Sequence, residues 1–304
     1  MRGAQEVMID GGWGMSKPRL LLDDKADLGE GPLWSARDQA IYWTNIKVKK
    51  LNRYRLADGV THSWDMPDTI GWAIERRGKP GFVVGLAHAI VEVTLDPFKI
   101  TRRCEIETDK PGNRLNDAKA DPAGRIWFGT MHDAEEMNSG AFYRLDPDFS
   151  VHEVDRGYIV ANGPTFSPDG GIVYHTDSST HEIFRFDVRP DGTLGGKRVF
   201  ARFRKEDGFP DGMTTDADGC LWVAHWGGWR ITRFRPDGTP DRVIQMPVSQ
   251  VSSCTFGGDK LDRMFVTSAR TGLSDAQLAE EPLAGGLFEI DPGTTGLPAA
   301  QFAG

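Results

Sequence analysis

Four absences narrow the reading of this chain. Cysteine is scarce: 304 residues carry only three, Cys104, Cys220 and Cys254. They are odd in number and lack Cys-x-x-Cys spacing, so neither a disulfide framework nor thiolate-held zinc is indicated and a reducing, cytoplasmic setting is expected. Long apolar runs are missing too. Nothing approaches the roughly 20 residues that span a bilayer, and the opening segment MRGAQEVMIDGGWGMSK has no apolar core of a signal peptide. Runs of like charge are also absent, and the net charge is −8 with a pI near 5.4. Nucleic acid and an anionic membrane surface are therefore not expected as partners. Finally, no Gly-x-Ser-x-Gly elbow occurs, which disfavours a serine nucleophile.

What is present is glycine and proline, 36 and 18 residues, spread evenly along the chain. That distribution suits an all-β protein with many tight turns. One unit recurs, a turn followed by a short apolar strand. Clear copies are Asp121-Pro-Ala-Gly before Ile126-Trp-Phe-Gly, Ser167-Pro-Asp-Gly-Gly before Ile172-Val-Tyr, and Asp216-Ala-Asp-Gly before Leu221-Trp-Val-Ala. Others precede Ala40-Ile-Tyr-Trp, Phe82-Val-Val-Gly and Met264-Phe-Val-Thr. The copies recur about every 40–50 residues, the period of propeller blades. Each is followed by an alternating strand such as Glu182-Ile-Phe-Arg-Phe or Arg230-Ile-Thr-Arg-Phe, and often by a weaker fourth.

Six units of four strands predict a six-bladed β-propeller over residues 17–304. The sixth unit runs short of its last strand, while Arg19-Leu-Leu-Leu-Asp stands in fourth-strand phase ahead of the first unit. An N-terminal strand is thus expected to close the ring and remove its open edge. Residues 1–16 are expected to form a flexible extension.

Propeller symmetry converts sequence phase into height along the central channel. Counting back about eleven residues from each alternating-strand partner reaches the inner strands at Glu30, Gly71, Asn116, Asn162, Asp211 and Ser253. Four of these carry a carboxylate or amide oxygen. Two carboxylates crowded at a narrow axis repel unless protons or a cation intervene. Oxygen ligation from Glu30, Asn162 and Asp211 suits a divalent ion such as Ca²⁺, Mg²⁺ or Mn²⁺, with ferrous iron and zinc left open. Taken singly, each residue could instead satisfy backbone groups at a turn, as Asn-Gly and Asp-Gly commonly do.

The same phase sets the long links, Met131–Gly140 and Ser268–Gly285, on the face of Glu30 and Asp211, together with His88, His132, His181 and His225. Arg114 falls at the channel mouth, where it could orient a polyhydroxylated substrate or pair with Asp117. Trp222, Trp226 and Trp229 read mostly as packing, with Trp226 a candidate sugar platform.

Several ordered motifs, Gly29-Glu-Gly-Pro-Leu-Trp, Arg114-Leu-Asn-Asp-Ala-Lys, Asn162-Gly-Pro-Thr-Phe-Ser, Pro210-Asp-Gly-Met and Ser252-Ser-Cys-Thr-Phe-Gly-Gly, together resemble the regucalcin/gluconolactonase/luciferin-regenerating-enzyme family. The resemblance runs from about Leu28 to the C-terminus. It implies a six-bladed propeller with one divalent metal held by Glu30, Asn162 and Asp211, the last also acting as acid/base. It implies sugar binding by Arg114 and Asn116. Some members place a further substrate-binding Glu just after Gly-Thr-Met; here His132-Asp-Ala intervenes, which leaves Glu135, or else Glu136, in that role.

The expected function is metal-dependent hydrolysis of a sugar lactone to the aldonic acid, with Ca²⁺ the first candidate ion among Zn²⁺, Mn²⁺, Mg²⁺ and Fe²⁺. The partner would be the small-molecule lactone, the protein a monomer or weak homo-oligomer. The alternatives are a non-catalytic propeller binding calcium or a protein partner, and a metal-dependent hydrolase of another ester or phosphotriester.

Overall fold

Turn, apolar strand, turn, alternating strand: in a computed structural model, which describes residues 17–304, this pattern folds as six separate four-stranded antiparallel sheets. Blade 1 comprises Gly29–Ser35, Ala40–Asn45, Lys50–Arg55 and Thr61–Asp65, hydrogen-bonded in that order. Blades 2 to 5 repeat this order from inner strands Ile70–Glu75, Asn113–Ala120, Ala161–Phe166 and Phe209–Thr215. Blade 6 takes its first three strands from Val251–Gly257, Arg263–Ser268 and Leu287–Ile290. Its outer strand is Arg19–Leu22, running antiparallel to Leu287–Ile290. The N-terminal closure is therefore as expected, and the chain is a six-bladed β-propeller. The extension expected at 1–16 lies outside the described residues.

Burial follows strand rank. The second strands are nearly all buried, as in Ala40–Asn45 and Phe82–Leu86, because both faces meet neighbouring blades. Outer strands such as Thr61–Asp65 are largely exposed. Apolar clusters accordingly sit between blades: one joins Trp72, Val83, Leu115, Phe128 and Phe302, another joins Trp222, Ile231, Cys254, Val266 and Phe288. Phe302 belongs to a tail that hydrogen-bonds Glu75 O, Arg77 N and, through Ala303, Gly124 O, so it braces blades 2 and 3 from below.

The inner strands share one irregularity. All six carry a β-bulge, and each bulge falls at the predicted ring position: between Glu30 and Leu33, Ile70 and Trp72, Leu115 and Ala118, Asn162 and Thr165, Pro210 and Met213, and Val251 and Ser253. A bulge breaks the two-residue alternation and re-aims side chains. It also lets inner strands crowd together; a Cβ on Gly71 would lie 2.5 Å from the Asn116 carbonyl oxygen.

The long link of blade 6 contains the short helix Asp275–Glu280, started by a Ser274/Gln277 capping box. Among the described residues no helix is long and apolar enough to cross a membrane.

Candidate metal centre and active site

The bulges turn Glu30, Asn116, Asn162 and Asp211 to the floor of one cavity of about 270 Å³ at the channel mouth. The four are nearly buried, at 6, 7, 6 and 4% exposure. Gly71 and Ser253, the other two ring positions, do not line it.

A hydrogen-bond relay fixes the amides. Arg114 Nη1 donates to Asn116 Oδ1 at 2.6 Å, and Asn116 Nδ2 donates to Asn162 Oδ1 at 2.7 Å and to the Ala161 carbonyl at 3.0 Å. Asn162 Nδ2 donates to Ser178 Oγ at 3.1 Å, which donates to the Pro210 carbonyl at 2.6 Å. The relay runs through blades 3, 4 and 5 and ends beside Asp211. It orients the Asn162 oxygen, which still has a second lone pair.

The acids are treated differently. Glu30 Oε2 accepts only the Gly31 N–H, at 2.9 Å. Asp211 Oδ1 is buried and has no hydrogen-bond partner. A third acid, Asp117, was not among the sequence-derived candidates: it accepts Ala118 N at 2.7 Å and Gly163 N at 3.0 Å, tying blade 3 to the residue after Asn162.

Burial is the main reason that all three carboxyls hold their protons above the ordinary range. Repulsion by Asp117 adds to it at Glu30, which is pushed up to about 8, and repulsion by Glu30 and Asp117 adds to it at Asp211. Such a cluster cannot be fully ionised without a compensating cation.

Among the described residues no cluster of three His, Cys, Asp or Glu side chains is arranged to hold a metal. Two carboxylates plus one oriented amide oxygen nevertheless form a donor set of the type hard divalent cations take. The orphaned buried oxygen of Asp211 is what such an ion would satisfy. The residues fit the group.

Above this floor the lining combines the apolar Leu28, Ile46, Ile159, Val160, Phe209 and Trp226 with the charged Lys47, Arg114, Asp133 and Glu135 and the hydroxyls of Ser179 and Thr271. Arg114 does not pair with Asp117, as the sequence left open. Its Nε donates to Asp133 Oδ1 at 2.6 Å, because the bulge aims Asp117 toward blade 4. Burial alone would raise the Asp133 pKa, but hydrogen bonds from Lys47 and Arg114 hold it below the usual carboxylate range.

Glu135 lines the cavity from an exposed position with a left-handed backbone, φ 58°; Glu136 does not line it. None of His88, His132, His181 and His225 lines the cavity. His225 is buried with Nδ1 2.8 Å from the Asp207 carbonyl, and burial pushes its pKa down to about 4. Trp226 does line the cavity, while Trp222 is fully buried packing and Trp229 is exposed.

A propeller whose channel mouth gathers buried carboxylate and amide oxygens on bulged inner strands is the architecture of this chain, and sequence comparison supplies its family. Residues 28–270 match the family model for the SMP-30/gluconolactonase/LRE-like region, and the chain belongs to that family. It is 38% identical over 288 residues to L-arabinolactonase of Azospirillum brasilense, covering 94% of this chain and 95% of the relative. It is 34% identical over 278 residues to 6-deoxy-6-sulfogluconolactonase of Pseudomonas putida, covering 91% and 95%. Among solved structures, a calcium-binding protein, regucalcin, from Agrobacterium tumefaciens matches with a TM-score of 0.90 at 27% identity, covering 94% of this chain and 97% of its own.

Proposed function

We propose that this chain is a lactonase that opens a sugar lactone to the aldonic acid, with one divalent cation held by Glu30, Asn162 and Asp211. The carrying observation is the buried, unpartnered Oδ1 of Asp211, set beside Glu30 and Asn162 at the floor of a cavity sized for a small molecule. The names of the relatives, an arabinolactonase and a sulfogluconolactonase, support lactone hydrolysis as the reaction class.

The chemistry can be assigned to side chains. Arg114, at the mouth, and Asn116, on the floor, hold substrate hydroxyls. Asp211 accepts a proton from the attacking water as its oxygen adds to the lactone carbonyl carbon. Asp211 then returns the proton to the ring oxygen as the acyl C–O bond breaks. A bound divalent cation would supply Lewis-acid polarisation of the carbonyl and stabilise the negative charge that develops on its oxygen. The unpaired cysteines Cys104, Cys220 and Cys254 accord with a reducing, cytoplasmic setting.

The second reading, a non-catalytic calcium-binding propeller, is favoured by the solved calcium-binding relative. One experiment separates the two: strip the protein with chelator, restore Ca²⁺, Mn²⁺, Mg²⁺ or Zn²⁺ singly, and assay a panel of pentono- and hexonolactones. Cation-dependent turnover that disappears in Asp211→Asn supports the lactonase. Cation binding without turnover on any lactone supports the alternative.

A further inference from the structure

The charged pair across the cavity mouth has no structural need that the fold explains. Lys47 sits in the link between the second and third strands of blade 1, and Asp133 follows the second strand of blade 3. Between them blade 2 contributes only a two-residue link, since one strand ends at Leu86 and the next begins at Ala89. The side chains meet above that gap, Lys47 Nζ to Asp133 Oδ1 at 2.5 Å.

Arg114 Nε shares the same Oδ1, at 2.6 Å. The Asp133 backbone N–H is tied to the Gly112 carbonyl at 2.8 Å, so the loop is anchored although its carboxylate is half-exposed. Three groups remain unused among the described residues: Asp133 Oδ2, two N–H bonds of Lys47, and Arg114 Nη2, because Nη1 serves Leu115 O and Asn116 Oδ1.

One acceptor flanked by cationic donors is the complement of a vicinal diol, in which each hydroxyl both donates and accepts. Elsewhere the lining is mostly hydrocarbon and aromatic, and its hydroxyls, Ser178, Ser179 and Thr271, already donate to Pro210 O, Asp177 Oδ1 and Asp27 Oδ2, so charged donors and acceptors for hydroxyls are gathered at the Lys47–Asp133 edge. Charge points the same way. The lining carries Glu30, Asp133, Glu135 and Asp211 against Lys47 and Arg114, so one divalent cation brings it to neutrality. The Lys47 charge is already matched by Asp133, so its two remaining N–H bonds meet a neutral hydroxyl without leaving a surplus of positive charge for an anionic tail.

We propose that Lys47 and Asp133 form the hydroxyl-reading edge of this cavity, selecting neutral polyhydroxylated lactones over lactones without hydroxyls and over those with an anionic tail. The assignment rests on the lactonase reading. It makes Lys47 and Asp133 determinants of specificity, and leaves the proton transfers to Asp211.

The test is kinetic, on the cation-loaded protein with three probes: a neutral pentonolactone, γ-butyrolactone as the ring without hydroxyls, and an aldarolactone carrying a carboxylate. Wild type should favour the neutral pentonolactone over both others. In Lys47→Met and in Asp133→Asn the ratio of kcat/KM for pentonolactone over γ-butyrolactone should fall about tenfold, the loss of one charge-assisted hydrogen bond, and mainly through KM. Asp133→Glu should restore part of the ratio, and the double variant should fall little further than the worse single one. Lys47 lies on a partly exposed link, so its variant reads the proposal even if Asp133→Asn folds poorly. An unchanged ratio in Lys47→Met, or a wild-type preference for the aldarolactone, would overturn the assignment. Absence of wild-type turnover on all three probes would instead overturn the lactonase reading beneath it.

Discussion

Asp211 and Asp216 stand near opposite ends of the same inner strand, both buried, at 4% and 0% exposure, and their surroundings could hardly differ more. Asp216 is saturated: its Oδ1 accepts the Asp218 and Cys220 N–H groups at 3.0 and 2.9 Å, and its Oδ2 accepts Trp222 Nε1 at 2.9 Å and Arg233 Nε at 2.7 Å. Blade 3 repeats the device, with Asp121 accepting Arg125 N, Arg125 Nε and Trp127 Nε1. Asp211 has an empty oxygen and three acids, Glu30, Asp117 and Glu135, whose charge opposes its own. A buried acid whose every lone pair is matched belongs to the scaffold. One left wanting at a cavity floor is held there against its own electrostatics, and that is where a ligand or a reaction belongs.

The contrast is broken most directly by removing each acid. Asp211→Asn should lower turnover by about a thousandfold, the range of a lost acid/base, while the thermal midpoint of the metal-free protein holds or rises. Asp216→Ala should do the reverse. It strands Trp222 and Arg233 and should destabilise by about 3–5 kcal/mol, seen in denaturant unfolding, with kcat of the surviving folded fraction little changed. Equal loss of stability in both variants would erase the distinction.

Cation linkage comes next in size. Saturating a chelator-stripped sample at about a hundred times Kd should add about 2.7 kcal/mol of stability, read as a rise in thermal midpoint. Glu30→Gln and Asp211→Asn should lose that rise; Asp216 variants should keep it.

A pH series sharpens the comparison further. Glu30 titrates near 8 in the metal-free fold, because burial and then Asp117 disfavour its charge, against about 4.3 in an unfolded chain. Between those values the folded state keeps a proton that the unfolded state has released, so metal-free stability should fall as pH rises toward 8. His175 and His225, buried and pushed down to about 3 and about 4, act in the opposite direction only below their unfolded value of about 6.5. The window from about 6.5 to 8 therefore isolates the acids. Thermal melts there should show a downward slope in wild type and a shallower one in Glu30→Gln.

The smallest effect belongs to the relay. Ser178→Ala removes the partner of Asn162 Nδ2 and should weaken cation affinity severalfold, about 1 kcal/mol, with little effect on kcat at saturating cation.

Much of this was legible in the sequence. Turn chemistry and alternation located the blades, and Arg19-Leu-Leu-Leu located the closing strand, because both are local signals of backbone conformation. Phase alone reached the six bulge positions, Glu30 and Asp211 included, since symmetry carries one blade's geometry to the next. Asp117 escaped because strict alternation sends the neighbour of Asn116 to the opposite face, and only the bulge between Leu115 and Ala118 brings it back into the acid cluster. Lys47 and Asp133 escaped for another reason. They sit in links from blades 1 and 3, have no periodicity to betray them, and become partners only because blade 2 has so little between them. Arg114 was flagged at the mouth, but its partner could not be read from a chain that offered Asp117 closer in sequence.

The closing strand has a consequence for how the protein is made. Glu30 leaves the ribosome among the first residues of the ring, yet the wall behind it is among the last: Ser252 Oγ donates to the Gly29 carbonyl, and the Ser268 carbonyl would lie 2.7 Å from a Cβ on Gly29. At roughly 5–20 residues per second, the nascent chain spends many seconds with its blades partly built and the two halves of its acid floor apart. The cavity floor is therefore a product of completion, walled in only when blade 6 and the N-terminal strand close the ring behind Glu30.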